Sequence, residues 1–294
     1  MKGDKANILS DLEKSGFPTE IYVSSTLEQQ EWMVYNGSLF FDREESKERE
    51  IDVHAVKVDD SFANRTPKKV NLGDVCKSIS HLIIEVKKCE KPLIFFQYGR
   101  EYASSFPNQA FKSKKERFHH LLLDDVSSAY GYRSRGDFFT RKETLKWYGL
   151  TKHRYKENPL HKTFYTAFTS PSQPNPVYEA VKKTYKALMY QKSRYGNGTY
   201  VLHIFSPIVV VDGDLWSARL DKKGKINLEK VEHLLLEVKQ LISDEKRRRF
   251  EEEQIYDIVS RRGFNKFLTL IKRDDLSLYN AWSNFIQPKE ENKK

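Results

Sequence analysis

Hydrophobic positions along this chain fall mostly into short runs with a two-residue rhythm, broken by a few stretches with helical spacing. A helix is predicted to open at Pro18, where the missing N–H costs nothing, and to run to about Glu31. Trp32 to Phe41 then alternates as a strand and Ile51 to Val58 as a second, with the charged segment DREESKERE as the hairpin tip between them. Residues 59–80 carry Pro, Gly, Asn and Ser and read as a loop, with room for a short helix. His81 to Val86 (HLIIEV) and Pro92 to Gln97 (PLIFFQ) are short apolar runs, the pattern of strands buried on both faces.

Residues 98–174 follow no such rhythm; they are irregular, aromatic and basic, and Pro171, Pro174 and Pro176 close them. A helix is expected from Val177 to about Gln191. Strands resume at Thr199 to Val211 and Asp214 to Leu220, about a turn at Asp212-Gly213. Val231 to Leu241 and Gln254 to Val259 form a further strand pair, 261–273 a closing helix, and PKEENKK a solvated tail. The order helix, strands, helix, strands predicts an α/β or α+β fold, a mixed sheet flanked by helices. Its parts are 1–97, a basic and aromatic insertion at 98–174, and 175–294.

Composition narrows the class. The chain has 294 residues, 38% of them hydrophobic, enough for a full core in one elaborated domain or two small ones. Charged residues reach 31%, but 18 Phe, 16 Tyr and 4 Trp argue against general disorder. The net charge of +10 favours polyanionic partners through counterion release from phosphates, though charge alone is weak guidance. Two cysteines, Cys76 and Cys89, cannot build a disulfide framework or a four-cysteine zinc site. The first residues lack the apolar core of a signal peptide, and the longest apolar runs, such as Ile208 to Val211, fall far short of a membrane span. A cytosolic protein without membrane association is expected.

The segment REIDVHAVKV followed by HLIIEVKK carries the candidate chemistry. Strand side chains alternate between faces, so Ile51 and Val53 should point one way and Asp52 the other. Glu85 and Lys87 likewise share one face of their strand. Adjacent strands would gather Asp52, Glu85 and Lys87 into a solvent-facing cluster. Hard divalent cations suit it: Mg²⁺ takes one or two carboxylates and keeps other positions for water and phosphate. Lys87 would orient the attacking water or offset transition-state charge. The competing reading is a cross-strand ion pair. A lone E-x-K says little, since Glu237-Val238-Lys239 in HLLLEVKQ is a near copy, with Asp212 upstream.

The run GFPTEIYVSSTLEQQEWMVYNGSLFFD, then REIDVHAV, then LIIEVKKCEKPLIFF, resembles the PD-(D/E)XK nuclease superfamily, which includes restriction endonucleases and archaeal Holliday junction resolvases. The likeness covers about residues 15–97; Ile51 stands where the motif's name has proline. It implies a restriction-endonuclease-like core of a helix, a strand pair, the E-x-K strand, and a further helix and strand, here with an extended C-terminal sheet. It further implies a Mg²⁺-dependent endonuclease in which Mn²⁺ can substitute, with Asp52, Glu85 and Lys87 as the catalytic residues. DNA is the expected substrate and RNA the alternative, in prokaryotic antiviral defence or mobile-element biology, as a homo-oligomer or with partner subunits. The other class of reading is a nuclease-fold component that binds nucleic acid or protein without cutting.

Three further features bear on that site. Glu20 lies three residues before Val23 and seven before Leu27, on the apolar stripe of its helix, where a carboxylate is costly unless paired or metal-bound. Relatives of this type often place a metal-binding glutamate there, so Glu20 joins Asp52 and Glu85 as a metal ligand; a helix-start acid favoured by the dipole is the alternative. Glu50 and His54 share the expected face of Asp52, the first free to pair with Arg49 or Lys47, the second reading as a hydrogen-bonded core residue. In the basic insertion, Arg133, Arg135, Arg141 and Lys142 among interleaved aromatics are expected to contact nucleic acid.

Overall fold

The most apolar runs of the chain, HLIIEV and PIVVV, set the centre of the fold. In the computed structural model, which describes residues 2–42, 44–59, 77–97, 160–168, 175–194, 201–221, 223–243 and 249–286, they lie side by side in parallel. The first belongs to β3 (Lys77–Lys88) and the second to β6 (Val201–Asp212). Their ladder runs from Lys77↔Val201 to Lys88↔Asp212 in the middle of a ten-stranded mixed sheet. On one side stand β2 (Lys47–Asp59) and β1 (Met33–Asp42), forming an antiparallel meander with β3. On the other, the order is β10 (Arg249–Ser260), β9 (His233–Ser243), β5 (Leu160–Thr166), β4 (Leu93–Gln97), β7 (Leu215–Leu220) and β8 (Ile226–Val231).

Helices cover both faces, because the central strands are apolar on both. Leu82, Ile84 and Val86 of β3 and Ile208 and Val210 of β6 pack with Val23 and Leu27 of α2 (Phe17–Glu28) and Phe264, Phe267, Leu268 and Ile271 of α4 (Phe264–Ile286). The opposite face carries α3 (Pro176–Arg194), whose Val177, Ala180 and Val181 meet Val209 and Val211 while Ala187 and Leu188 meet Ile83 and Phe205. Each such Val, Leu, Ile or Phe side chain taken fully out of water contributes about 1.5–3 kcal/mol, and the alanines less. The turn between β6 and β7 fits only because Gly213 has no side chain: a Cβ there would stand 2.5 Å from the carbonyl oxygen of Cys89.

The mixed α/β architecture is as expected, with several differences in detail. Strands reach into segments read as loops: β3 begins at Lys77, and the tip of the β1–β2 hairpin shrinks to the residues between Asp42 and Lys47. The closing helix runs on to Ile286. Three elements were not anticipated. The first is α1 (Lys2–Lys14), whose Ile8, Leu9 and Leu12 remain exposed; the second is β8, exposed almost throughout; the third is β5, in the stretch expected to be irregular. Only Glu232 separates β8, at the edge of the sheet, from β9 in its interior. One residue spans only a few ångströms, so this half of the sheet must curl until its edge returns to its own middle. Among the described residues no helix is long and apolar enough to cross a membrane.

Candidate active site

The antiparallel ladder between β2 and β3 runs from Asp59↔Ser78 to Val53↔Ile84 and stops. The next pair in that register is Asp52 with Glu85. Here backbone pairing gives way, and the Asp52 carboxylate (Oδ2) accepts the N–H of Val86 at 2.7 Å. On the other side of Asp52, β1 places Gly37 between the pairs Asn36↔Val53 and Ser38↔Ile51. Gly37 has φ +61°, a conformation that favours glycine, and a Cβ on it would stand 2.6 Å from Glu50 Oε1 and oblige that side chain to move.

Side-chain alternation changes phase at this point, which corrects the expectation for Ile51 and Val53. Val53 packs with Val23 and Leu27 on the α2 face, whereas Ile51 packs with Phe40 and Leu188 on the α3 face. Irregularity of this kind re-aims a side chain out of the regular pleat. Asp52 is thereby turned toward the end of β3.

Two lysines complete the cluster. Lys87 Nζ donates to Glu85 Oε1 at 2.7 Å. Lys183, from α3, donates to Asp52 Oδ1 at 3.1 Å and to Glu85 Oε1 at 2.9 Å, and stands 2.9 Å from Glu85 Oε2. Contrary to the expected solvent-facing position, Glu85 is completely buried and the side chain of Asp52 only 14% exposed. Burial lifts Glu85 above the usual carboxylate range, and the charge of Asp52 adds to it; Lys87 and Lys183 oppose the rise without cancelling it. Burial alone would lower Lys183, but Glu85 and then Asp52 hold its ammonium above the ordinary lysine value.

Glu20 stands at the edge of this group. It is half-buried, and burial first and Asp52 second push its carboxyl upward, so it shares the field of the cluster. Asp212, at the end of β6, serves elsewhere: its Oδ2 accepts from Thr19 Oγ1 at 2.7 Å and from Arg261 at 3.1 Å, tying α2 to the sheet. Glu237 is nearly buried and pairs with Lys162 of β5 at 2.9 Å, away from Asp212. Among the described residues the second E-x-K run therefore shows an ion pair with Lys162 and no second carboxylate beside Glu237. Arg133, Arg135, Arg141 and Lys142 lie outside the described residues.

His54 is a hydrogen-bonded core residue, but it is not alone. His54 Nε2 lies 3.3 Å from His81 Nδ1, and His81 Nε2 lies 2.9 Å from His203 Nδ1, a buried chain across β2, β3 and β6. His81 stacks on Phe205 at 4.4 Å. Burial drives His54 and His203 down to about 4 and His81 to about 2, so all three are neutral imidazoles at neutral pH.

The donor set is all oxygen, which suits Mg²⁺ or Mn²⁺ rather than zinc. Glu85 Oε2 is buried and receives no hydrogen bond among the described residues; the charge that faces it is the Lys183 ammonium at 2.9 Å, so a cation already sits where a metal would bind. Among the described residues no group of three or more His, Cys, Asp or Glu side chains could hold a metal. Glu20, expected as a third ligand, is therefore not grouped with Asp52 and Glu85, and an ion at this place would have two carboxylates and depend on water and substrate for the rest of its shell.

Lys183 is the member of the cluster that the sequence reading missed. In YEAVKKTYKALMYQK it is one lysine of many. Its position three after Ala180 and four before Ala187, both fully buried, was the available signal, because that spacing sets it on the sheet-facing stripe of α3. Away from the cluster, a cleft of about 740 Å³ sits where β8 returns to β9, lined by residues that include His161, Ser217, Lys230 and Arg262 but not Asp52, Glu85, Lys87 or Lys183. Comparisons with protein-family models, curated proteins and solved structures find nothing that matches the chain.

Proposed function

We propose that Asp52, Glu85 and Lys87 form the hydrolytic centre of a divalent-metal-dependent nuclease with a restriction-endonuclease-like core, acting on DNA. The observation that carries this reading is the meeting of two carboxylates, Asp52 and Glu85, where β2 parts from β3, with Lys87 2.7 Å from Glu85. The succession α2, β1, β2, β3 and, after the intervening β4 and β5, α3 and β6 supports it, since the motif resemblance implies a helix, a strand pair, the E-x-K strand and a further helix and strand. A bound Mg²⁺ would lower the pKa of a coordinated water and offset charge on the phosphorane-like transition state. Asp52 and Glu85 would hold that ion, with the Val86 N–H fixing the carboxylate of Asp52. Lys87 would place its ammonium beside the attacked phosphate and orient the water. A net charge of +10 agrees with a polyanionic substrate.

One observation favours a second reading, in which the fold binds nucleic acid or protein without cutting. Lys183 and Lys87 together neutralise Asp52 and Glu85, so the cluster also makes sense as a permanent buried ion network. Incubation with plasmid, single-stranded DNA and RNA, in Mg²⁺, Mn²⁺ or EDTA, separates the two. Cleavage should require the metal and vanish in Asp52→Asn, Glu85→Gln and Lys87→Ala, with melting curves confirming that each variant folds. Cleavage that persists in all three, or none by the wild-type protein in either metal, would refute the assignment.

A further inference from the structure

We infer that Lys183 is the resident counter-cation of the Asp52–Glu85 pair, and that a divalent metal enters by displacing its ammonium. This deepens the metal-dependent reading above and rests on it. The ammonium stands 3.1 Å from Asp52 Oδ1 and 2.9 Å from both oxygens of Glu85, the place from which one cation can serve both carboxylates. A divalent ion bonded to the same oxygens at about 2.1 Å would lie in direct contact with that ammonium, and two cations cannot share the seat. Lys87 holds Glu85 Oε1 but makes no described contact with Asp52, so the bridging role belongs to Lys183.

The ammonium can leave without moving its helix. The side chain of Lys183 is 26% exposed and ends a flexible four-carbon stem. Meanwhile α3 stays anchored: Lys186 binds Asp42 at 2.7 Å and Glu45 at 3.2 Å, and Ala187 and Leu188 are packed in the core. Displacement is therefore a rotation of one side chain. It follows that the protein folds without metal, and that it takes up metal more weakly than its carboxylates would by themselves.

The test is calorimetric titration of Mn²⁺ into the wild type, Lys183→Met, Lys183→Gln, Lys183→Arg and Asp52→Asn, with melting curves in EDTA and in Mn²⁺. Removing one adjacent like charge should tighten Mn²⁺ binding about tenfold or more in the Met and Gln variants. Lys183→Arg, which keeps the charge, should bind as weakly as wild type, and Asp52→Asn more weakly still. In EDTA the Met and Gln variants should melt below wild type, and Mn²⁺ should close the gap. Binding only when Lys183 is neutralised would show that its ammonium is not displaced in the wild type, which would overturn the inference and remove the case for a working nuclease. Wild-type binding that depends on Asp52, with no gain in the Met or Gln variant, would overturn the inference and leave the metal reading standing. No Asp52-dependent binding by any variant would overturn both.

Discussion

Acid should weaken this fold through the chain of His54, His81 and His203, and the magnitude can be worked out from their burial. Each imidazole is neutral in the folded protein and free to take a proton once unfolded. The folded values lie below the ordinary 6.5, at about 4 for His54 and His203 and about 2 for His81. A depressed histidine contributes its full stability above the unfolded value and loses it as pH falls toward the folded one. Between about pH 7.5 and about pH 5 each should cost about 2 kcal/mol, at about 1.4 kcal/mol per pH unit below 6.5. Three together approach about 6 kcal/mol, comparable with the whole stability of many domains, about 5–15 kcal/mol. Glu85 and Glu20 work in the opposite sense, because their raised values let the folded state take up protons first. The comparison that isolates the histidines is therefore between variants: urea unfolding of wild type and His203→Gln at several pH values across this window. His203→Gln should start less stable, having lost its hydrogen bond to His81, yet lose about 2 kcal/mol less on acidification. Two curves that fall in parallel would refute the reasoning.

Other outcomes follow from the same geometry. Glu237→Ala combined with Lys239→Ala should leave cleavage unchanged, while thermal melting registers the loss of the nearly buried partner of Lys162. Glu20→Gln should keep the fold but raise the Mg²⁺ concentration needed for half-maximal cleavage, since it removes a charge from the field of Asp52; an unaltered Mg²⁺ curve would retire Glu20 from the site. Gly37→Ala should destabilise by about 1 kcal/mol, because φ +61° is strained for a residue with a Cβ and Glu50 must move aside, and it should slow cleavage by shifting Asp52. Urea unfolding and a cleavage assay check the two halves of that expectation.

What the sequence disclosed tracks how local the cause was. The buried runs HLIIEV and PIVVV announced their strands, because only a sheet covered on both faces accommodates them. The meeting of Asp52 with Glu85 was legible from alternation and adjacency, although the route differed: the regular pleat fails at Gly37, and a glycine within a strand was the cue that it would. Lys183 was not legible by motif, since it acts from a helix beyond a long intervening segment. Its only trace was helical spacing against Ala180 and Ala187. Burial of Glu85 was equally hidden, because it depends on α3 covering a strand end that looks open in isolation. The helix α1 and the edge strand β8 carry little buried apolar surface, so no hydrophobic rhythm marked them.

The central pairing of β3 with β6 also has a consequence for how the chain is made. The meander of β1, β2 and β3 emerges from the ribosome well before β6, and its hairpin contacts can form at once. β3 then waits, because β4, β5 and α3 must be synthesised before β6 arrives. Pairings between segments so far apart in sequence form slowly, since loop closure precedes any reward. During that interval β3 presents an open edge bearing Leu82, Ile83 and Ile84, all fully buried in the finished protein. Such an edge readily templates pairing with another chain. A nascent or truncated chain ending before Val201 should therefore be prone to aggregate or to engage chaperones, whereas the completed protein seals that edge with the longest parallel ladder of its sheet.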